Sequence, residues 1–328
     1  MIIVRTPLRI SLFGGGTDFP EYFKLNGGGV IGSAIDKYIY HTISHFPSWL
    51  FEHKIRFAYR VVEHVSDVEY IKHSPFKEIL KYHKIYENIE VNLASDLPSF
   101  TGLGSSSTFT VGLIKGLNAF KGKLIDMNEL AKTAIHIERE VLRESVGYQD
   151  QIFASYGGLN QINFYGHDQF SVERINVNES LTEELSENLV MFYTGMTRRA
   201  SDVEKGKMQR MDRNLNALDR MHACVNEARE ILSAGRGLDD IGRLLDETWK
   251  LKRSLSGDVS NEHIDEAYQL GLDHGALGGK LLGAGGGGFL LFYVPKREQE
   301  QFRRALSGMH EVKFSLNAQG STIIHAGA

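Results

Sequence analysis

A glycine- and serine-rich segment at residues 97–107 carries the residue types best suited to bind a phosphate group. Glycines let the backbone turn tightly and approach an anion without a Cβ atom in the way. The serines stand where a following helix would begin, and the unpaired N–H groups and dipole of a helix N-terminus attract phosphate. A serine hydroxyl also suits Mg²⁺, which prefers oxygen ligands. A serine cap after a glycine turn explains the same residues without a ligand, and the missing Walker A sequence Gly-Lys-Ser/Thr disfavours a P-loop enzyme.

Two carboxylates further along the chain have the chemistry that phosphoryl transfer needs beyond a phosphate cradle. That reaction requires a metal ligand and a group that positions or deprotonates the nucleophile. Glu138 shares a helical stripe with Ala134 and Val141, which turns it partly inward, whereas Glu140 points elsewhere. Asp150 follows on a predicted loop after a glycine break. The competing interpretations are a surface charge paired with a neighbouring arginine for Glu138 and a helix or turn cap for Asp150.

A second glycine run, at residues 283–288, contains the spacing G-x-G-x-x-G. In a dinucleotide-binding site this spacing follows a strand and opens a helix. Here the run precedes the apolar, strand-like residues 289–294, so a dehydrogenase is not favoured. We expect the run either to let the backbone pass close to a ligand or to pack against the first glycine loop.

The elements that must position these groups follow from the periodicity of apolar residues. Strands are predicted at residues 2–13, 32–44, 89–93, 159–164, 189–193 and 289–294. Helices are predicted at residues 107–120, 130–142, 215–232 and 241–251. No Pro/Gly/Ser-rich linker separates these segments, so we expect an α+β protein of two intimately packed lobes, at residues 1–185 and 186–328.

The composition of the 328 residues bounds the class of protein. A net charge of −4 and scattered Lys and Arg residues do not suggest a nucleic-acid surface. Arg5 and Arg9 interrupt the apolar N-terminal segment, which therefore predicts neither a signal peptide nor a membrane span. The single cysteine, Cys224, fits a reducing cytoplasm and is expected to pack in the core. The 13 histidines lack zinc-site spacing, so no transition-metal site is expected.

Three sequence blocks in order, at residues 7–18, 102–107 and 280–292, resemble the GHMP kinase superfamily, which includes galactokinase, homoserine kinase and mevalonate kinase. Residues 147–151, Gly-Tyr-Gln-Asp-Gln, stand between the second and third blocks and strengthen the resemblance, which spans nearly the whole chain. It implies an α+β, two-lobed fold, with an N-terminal lobe like ribosomal protein S5 domain 2 and a ferredoxin-like C-terminal lobe. It also implies ATP and Mg²⁺.

The same resemblance implies roles for individual residues. Ser106 and Glu138 match the family's Mg²⁺ ligands, with Glu140 as an alternative register for Glu138. Asp150 matches the catalytic aspartate of the sugar kinases, and Arg9 matches an arginine beside the attacking hydroxyl. The ATP phosphates would lie over residues of the first loop, namely Pro98, Gly102, Leu103, Gly104, Ser105, Ser106 and Ser107.

The substrate side of the expected site departs from galactokinase. Galactokinase has Glu and His where this chain has Gly15 and Gly16, and the two glycines make room for a different sugar arm. This form, together with residues 147–151 and 195–200, looks most like bacterial heptose 7-phosphate kinases, which phosphorylate the anomeric hydroxyl for nucleotide-activated heptose synthesis. The residues predicted to bind the sugar or sugar phosphate are Gly15, Gly16, Thr17, Asp18, Arg198, Gly285 and Gly286.

Several alternatives remain open from the sequence. Arg198 is hypothesised to hold a substrate phosphate, and a plain surface arginine is the competing interpretation. A fucose- or galactose-type sugar 1-kinase shares much of the pattern. A non-catalytic sugar or nucleotide sensor and an enzyme of isoprenoid metabolism are the alternatives of other classes. The sequence favours no oligomeric state.

Overall fold

The computed structural model describes residues 1–197, 211–235 and 237–327, so Arg198 lies outside the described residues. Within this part of the chain the strands are β1 (Ile2–Phe13), β2 (Gly28–His45), β3 (Ile55–Ala58), β4 (Val62–Val65), β5 (Ile89–Ser95), β6 (Leu159–Tyr165), β7 (Gln169–Arg174), β8 (Leu189–Tyr193), β9 (Gly278–Leu281), β10 (Phe289–Tyr293), β11 (His310–Glu311) and β12 (Thr322–Ala326).

The helices of the same residues alternate with these strands. They are α1 (Pro20–Asn26), α2 (Ser74–Tyr82), α3 (Ser105–Phe120), α4 (Met127–His136), α5 (Gln149–Tyr156), α6 (Glu179–Asn188), α7 (Met211–Ala234), α8 (Asp239–Ser254), α9 (Glu262–Asp273) and α10 (Gln299–Ala305). A π-helical turn, Ile137–Val141, continues α4.

The first sheet is built around two long strands, β1 and β2, which pair antiparallel along most of their length. The strand order is β12-β1-β2-β5-β3-β4, and β6 pairs with the first half of β2 while β7 pairs with β6. Only β3 and β5 pair in parallel among the described strands. Helices α3, α5 and α7 all contact β1 and β2. Residues 6–13 of β1 are therefore buried without interruption, and the polar side chains of Thr6, Arg9 and Ser11 are buried there together with the apolar ones.

The second sheet has the strand order β11-β8-β10-β9, with every pair antiparallel. In chain order its strands are β8, β9, β10 and β11, with α7 to α9 before β9 and α10 before β11. This is the β-α-β-β-α-β arrangement of a ferredoxin-like fold, as expected from the sequence. Helices α8 and α9 contact β9 and β10, and Trp249 of α8 is completely buried there.

The C-terminal strand β12 returns to the first sheet and pairs with β1. The chain therefore contributes to this sheet from both ends, and the boundary between residues 185 and 186 stays a prediction. The strands predicted at residues 2–13 and 189–193 have the predicted bounds, and Cys224 is buried in the core, as expected. The short elements α2, β3, β4, α6 and β7 were not predicted.

Candidate active site

The first glycine loop ends where α3 begins. Gly102 and Gly104 have φ values of 83° and 74°, a left-handed conformation that favours glycine. Gly104 is the N-cap residue of α3, and no side chain caps the helix. The interpretation of the serines as caps is therefore wrong. Ser105, Ser106 and Ser107 form the first turn itself, where backbone N–H groups lack partners within the helix.

The second glycine run packs directly against this loop. A Cβ atom on Gly283 would lie 2.3 Å from the Cα atom of Gly102, and one on Gly288 would lie 2.3 Å from the carbonyl oxygen of Thr101. The Nζ atom of Lys252, on α8, donates to the carbonyl oxygens of Leu281 and Gly283. Of the two expected roles of the glycine run, packing against the first loop is confirmed.

Arg9 and Asp150 form a bidentate ion pair at the base of the cleft. Arg9 Nε donates to Asp150 Oδ1 at 2.8 Å, and Arg9 Nη2 donates to Asp150 Oδ2 at 2.7 Å. Arg9 Nη1 donates to the carbonyl oxygen of Gly102 at 2.7 Å, which ties the pair to the first loop. The Arg9 side chain is 5% exposed and that of Asp150 is 25% exposed, so one edge of the carboxylate faces the cleft. Two parallel hydrogen bonds fix the orientation of this carboxylate.

Asp150 stands in the first turn of α5, which corrects the expectation that it lies on a loop. Gly104 lies close by, because a Cβ atom there would be 3.2 Å from Arg9 Cγ and 3.3 Å from Asp150 Oδ2. The carboxylate is therefore next to the N-terminus of α3, where phosphate is expected to bind.

Glu138 is buried behind the first turn of α3. Its Oε2 atom accepts hydrogen bonds from Ser107 Oγ at 2.8 Å and from Gln151 Nε2 at 2.5 Å. Burial raises the pKa of this carboxyl from its usual 4.5 to about 7. Ser106, the residue expected to act with Glu138, is exposed one position earlier, and Glu140 is exposed as well. The serine of this turn that contacts Glu138 is thus Ser107, and the role of Ser106 as a metal ligand stays a prediction.

The surroundings of Glu138 fit a hard cation. Glu138 Oε1 and Gln151 Oε1 are buried and have no hydrogen-bond partner among the described residues, whereas buried polar atoms are ordinarily paired. The described part of the chain contains no group of three or more His, Cys, Asp and Glu residues that could hold a metal. Mg²⁺ commonly binds through one or two carboxylates plus substrate phosphates, so one carboxylate beside a phosphate cradle is a suitable donor set.

The segment after β1 turns sharply at Gly14 and is fixed by two polar side chains. Thr17 Oγ1 lies 2.8 Å from the carbonyl oxygens of both Gly14 and Gly29 and is buried. Asp18 is also buried, and its Oδ1 atom accepts a hydrogen bond from the N–H of Gly16 at 2.9 Å. Thr17 therefore holds the turn from inside the protein, whereas Asp18 lines the cleft.

One cleft brings most of the predicted residues together. The predicted residues that line it are Arg9, Gly15, Gly16, Asp18, Gly102, Gly104, Ser105, Ser106, Ser107, Asp150 and Gly285. Five predicted residues do not line the cleft, namely Thr17, Pro98, Leu103, Glu138 and Gly286. Pro98 is exposed, and the side chain of Leu103 is buried in the core. The N–H of Gly286 donates to the carbonyl oxygen of Val259.

Four polar residues that line the cleft were missed in the sequence, namely Ser11, Gln149, Lys252 and Lys280. Ser11 and Gln149 were detectable, since Ser11 alternates with Arg9 along a strand and Gln149 precedes Asp150. Lys280 opens the third sequence block, and its Nζ atom donates to the carbonyl oxygen of Leu12 at 2.8 Å. Nothing in the local sequence distinguishes Lys252 from the other basic residues of its helix.

Comparisons with known proteins agree with this fold. A model of the GHMP kinases N terminal domain matches residues 58–158, and a model of the GHMP kinases C terminal domain matches residues 222–311. The chain therefore belongs to the GHMP kinases, and it is a phosphotransferase. The two-lobed α+β fold expected from the resemblance is confirmed.

Individual relatives are similar over most of the chain. The chain is 32% identical over 318 residues to the D-glycero-alpha-D-manno-heptose 7-phosphate kinase of Campylobacter jejuni, with 93% of each protein covered. It is 28% identical to the L-fucokinase/L-fucose-1-P guanylyltransferase of Bacteroides fragilis, covering 91% of this chain and 35% of that protein. Its fold matches the crystal structure of a D-glycero-D-manno-heptose 1-phosphate kinase from Bacteroides thetaiotaomicron with a TM-score of 0.81, at 23% identity and full coverage of both chains.

Proposed function

We propose that this protein is an ATP-dependent sugar kinase that phosphorylates the anomeric hydroxyl of a heptose 7-phosphate, for nucleotide-activated heptose synthesis. The observation that carries the proposal is the bidentate Arg9–Asp150 pair, which presents a fixed carboxylate to a cleft beside the N-terminus of α3. The 32% identical relative from Campylobacter jejuni supports the choice of heptose 7-phosphate.

In this proposal the sugar hydroxyl attacks the γ-phosphorus of ATP in line, and ADP leaves as the bond between the γ-phosphorus and the β-phosphate oxygen breaks. Asp150 accepts or orients the hydroxyl proton, and Arg9 holds the Asp150 carboxylate in the required orientation. The backbone N–H groups and hydroxyls of the first turn of α3, Ser105 to Ser107, bind the phosphates. Acceleration then comes mainly from positioning and from electrostatic stabilisation of the transferring group.

Mg²⁺ is proposed as the metal of this reaction, with Glu138 as its carboxylate ligand and Ser106 or Ser107 supplying the hydroxyl. When bound, the ion supplies positive charge that neutralises the phosphate oxygens. Glu138 must give up its proton to act as a ligand, and its raised pKa of about 7 means that the metal-free carboxyl is partly protonated at neutral pH.

The proposal about the acceptor is supported by the shape of the cleft near Gly15 and Gly16. Both glycines line the cleft together with Asp18. Among the described residues, a Cβ atom on Gly15 would lie within 4 Å of Ser11 Oγ and Gln149 Nε2 only, so glycine at this position leaves room for a group of the sugar. Arg198 remains a proposed donor to the substrate phosphate and lies outside the described residues. The division into lobes at residues 1–185 and 186–328 and a cytoplasmic location, which fits the single cysteine, are likewise proposals. No helix in the described part of the chain is long and apolar enough to cross a membrane.

An ADP-release assay with a panel of sugars tests the proposal. The panel contains heptose 7-phosphate, unphosphorylated heptose, fucose, mannose and galactose, each with Mg-ATP. We expect kcat/KM for heptose 7-phosphate to exceed the others by at least about 100-fold, the ratio that one lost charge-assisted contact of some 3 kcal/mol produces. A preference for fucose or galactose would show that the acceptor is that sugar and not heptose 7-phosphate. If no sugar of the panel gave ADP release, the proposed kinase activity would be contradicted.

A further inference from the structure

Two buried oxygen atoms in the cleft lack a hydrogen-bond partner among the described residues. They are Ser11 Oγ and Gln149 Oε1. Ser11 is 6% exposed and Gln149 is 9% exposed, and both residues line the cleft. Most buried polar atoms in proteins have a hydrogen-bond partner. Ser11 Oγ and Gln149 Oε1 are unpaired and line the same cleft, so we take their position as that of a ligand that supplies the missing hydrogen bonds.

These two residues lie next to the Arg9–Asp150 pair. Ser11 follows Arg9 by two residues on β1, so the two side chains lie on the same face of the strand. Gln149 precedes Asp150 in the first turn of α5. A group bound by Ser11 and Gln149 would therefore be adjacent to the carboxylate that is proposed to receive the hydroxyl proton.

Gly15 lies between the two unpaired side chains. A Cβ atom on Gly15 would lie 3.4 Å from Ser11 Oγ and 3.7 Å from Gln149 Nε2, which are ordinary contact distances. The absence of a side chain at Gly15 thus leaves an open space whose walls are the polar atoms of Ser11 and Gln149. We call the pocket formed by Ser11, Gly15 and Gln149 the hydroxyl pocket.

Asp18 holds the hydroxyl pocket together. Its carboxylate accepts the N–H of Gly16 at Oδ1, at 2.9 Å, and the N–H of Gln149 at Oδ2, at 3.3 Å. The turn after β1 and the start of α5 are thereby joined through one side chain. Gly147 makes this possible, because a Cβ atom there would lie 1.9 Å from Asp18 Oδ2. The resemblance to sugar kinases assigns Asp18 to the substrate, and its contacts add a positioning function for Gln149.

We propose that Ser11 and Gln149 bind neutral hydroxyl groups of the acceptor sugar and, with Gly15, determine which sugar is accepted. The inference rests on the proposed function in taking the ligand to be a sugar. A serine hydroxyl both donates and accepts, and Gln149 Oε1 accepts, so the pair suits neighbouring hydroxyl groups. A phosphate offers acceptor oxygens only and would face the Asp18 carboxylate and Gln149 Oε1, so the phosphate of the acceptor lies outside this pocket.

The test uses three single variants, Ser11→Ala, Gln149→Leu and Gly15→Ala, together with one control variant. For each, KM is measured separately for the acceptor and for ATP. Ser11→Ala and Gln149→Leu each remove one partner of a sugar hydroxyl, and we expect each to raise KM for the acceptor about 10-fold while KM for ATP changes less than about twofold. Ser33→Ala is the matched control, because Ser33 is also a buried serine of this sheet and its Oγ atom already pairs with Ala34 O and Asn317 N. Equal changes in acceptor KM for Ser11→Ala and Ser33→Ala would overturn the inference.

Gly15→Ala tests the space in the pocket rather than its polar atoms. The backbone at Gly15 is not in the left-handed region, and among the described residues the added methyl meets no atom closer than 3.4 Å, so the variant should fold normally. We expect its acceptor KM to rise at least about 10-fold with unchanged thermal stability, since the methyl group fills space that the sugar requires. An unchanged acceptor KM for this variant contradicts the pocket.

Monodeoxy analogues of the acceptor, each lacking one hydroxyl group, show which sugar hydroxyl binds to Ser11 and which binds to Gln149. Wild type should bind one of the analogues more weakly than the parent sugar, by about the same factor by which Ser11→Ala or Gln149→Leu weakens binding of the parent sugar. The variant with the matching factor should bind this analogue and the parent sugar equally well. Sugar binding is measured by calorimetry as well as by turnover. If the sugar binds in a way that depends on Ser11 and Gln149 but no ADP is released, the hydroxyl pocket is supported and the proposed kinase activity is refuted. If wild type turns over normally and the variants have an unchanged acceptor KM, only the proposal of the hydroxyl pocket is refuted.

Discussion

The buried carboxyl of Glu138 should make the metal-free protein less stable as the pH rises. Its pKa is raised from 4.5 to about 7 in the folded protein, so between these values the folded state binds a proton that the unfolded chain has released. The protonated Glu138 carboxyl therefore contributes its full stabilisation of the folded state below about pH 4.5, and this contribution is lost as the pH rises through 7. At about 1.4 kcal/mol for each pH unit between the two values, the charged carboxylate costs roughly 3 kcal/mol at pH 8.

Urea unfolding in EDTA, followed by the fluorescence of the buried Trp249, measures this effect. Glu138→Gln keeps the shape of the side chain and removes its ionisation, and Glu140→Gln, on the same turn but exposed, corrects for the lost charge. Between pH 4.5 and 8 the free energy of unfolding of wild type should fall by about 3 kcal/mol relative to Glu138→Gln. Saturating Mg²⁺ at pH 8 should stabilise wild type and leave Glu138→Gln nearly unchanged. Parallel pH profiles for wild type and Glu138→Gln would refute the reasoning.

Three further changes test the loop and the ion pair. Asp150→Asn should lower kcat about 10²- to 10⁴-fold while ATP still binds; ADP release and ATP titration measure both, and near-normal turnover would refute the assignment. Arg9→Lys keeps the charge but cannot make both hydrogen bonds to Asp150, so kcat should fall more than about 10-fold with little change in KM for ATP; equal kcat values would show that the bidentate geometry is unimportant. Gly283→Ala places a methyl 2.3 Å from Gly102 Cα at a φ of 69°, so the free energy of unfolding measured in urea should fall by about 2–4 kcal/mol. Gly166→Ala is the control and should have little effect, because a Cβ atom there has no described atom within 4 Å.

The residues of the cleft were predicted best where neighbouring residues in the sequence form a local pattern that favours one strand, loop or helix. The strand that carries Arg9 is rich in apolar residues, and the glycines at 102 and 104 stand directly before a helical period. Strand, loop and helix therefore follow from local preferences. Glu138 was distinguished from Glu140 by its helical phase, and the structure has Glu138 buried and Glu140 exposed.

Other features depend on contacts between distant parts of the chain and have no local signal. Lys252 is a cleft residue only because α8 packs against β9, and β12 joins the first sheet from the far end of the chain. The position of the helix start also mattered, because α3 begins at Ser105 with Ser107 facing Glu138, while Ser106 faces outward. Thr17 resembled a substrate residue by its neighbours, yet its hydroxyl pairs with backbone carbonyl groups.

Phosphorus NMR of the reaction of wild type with Mg-ATP and heptose 7-phosphate tests the central claim most directly. The account predicts ADP and a product with two phosphate resonances, of which the new one couples to the anomeric proton and the other is that of the original 7-phosphate. A new phosphate on any other carbon, or release of inorganic phosphate without a glycosyl phosphate, would contradict the account.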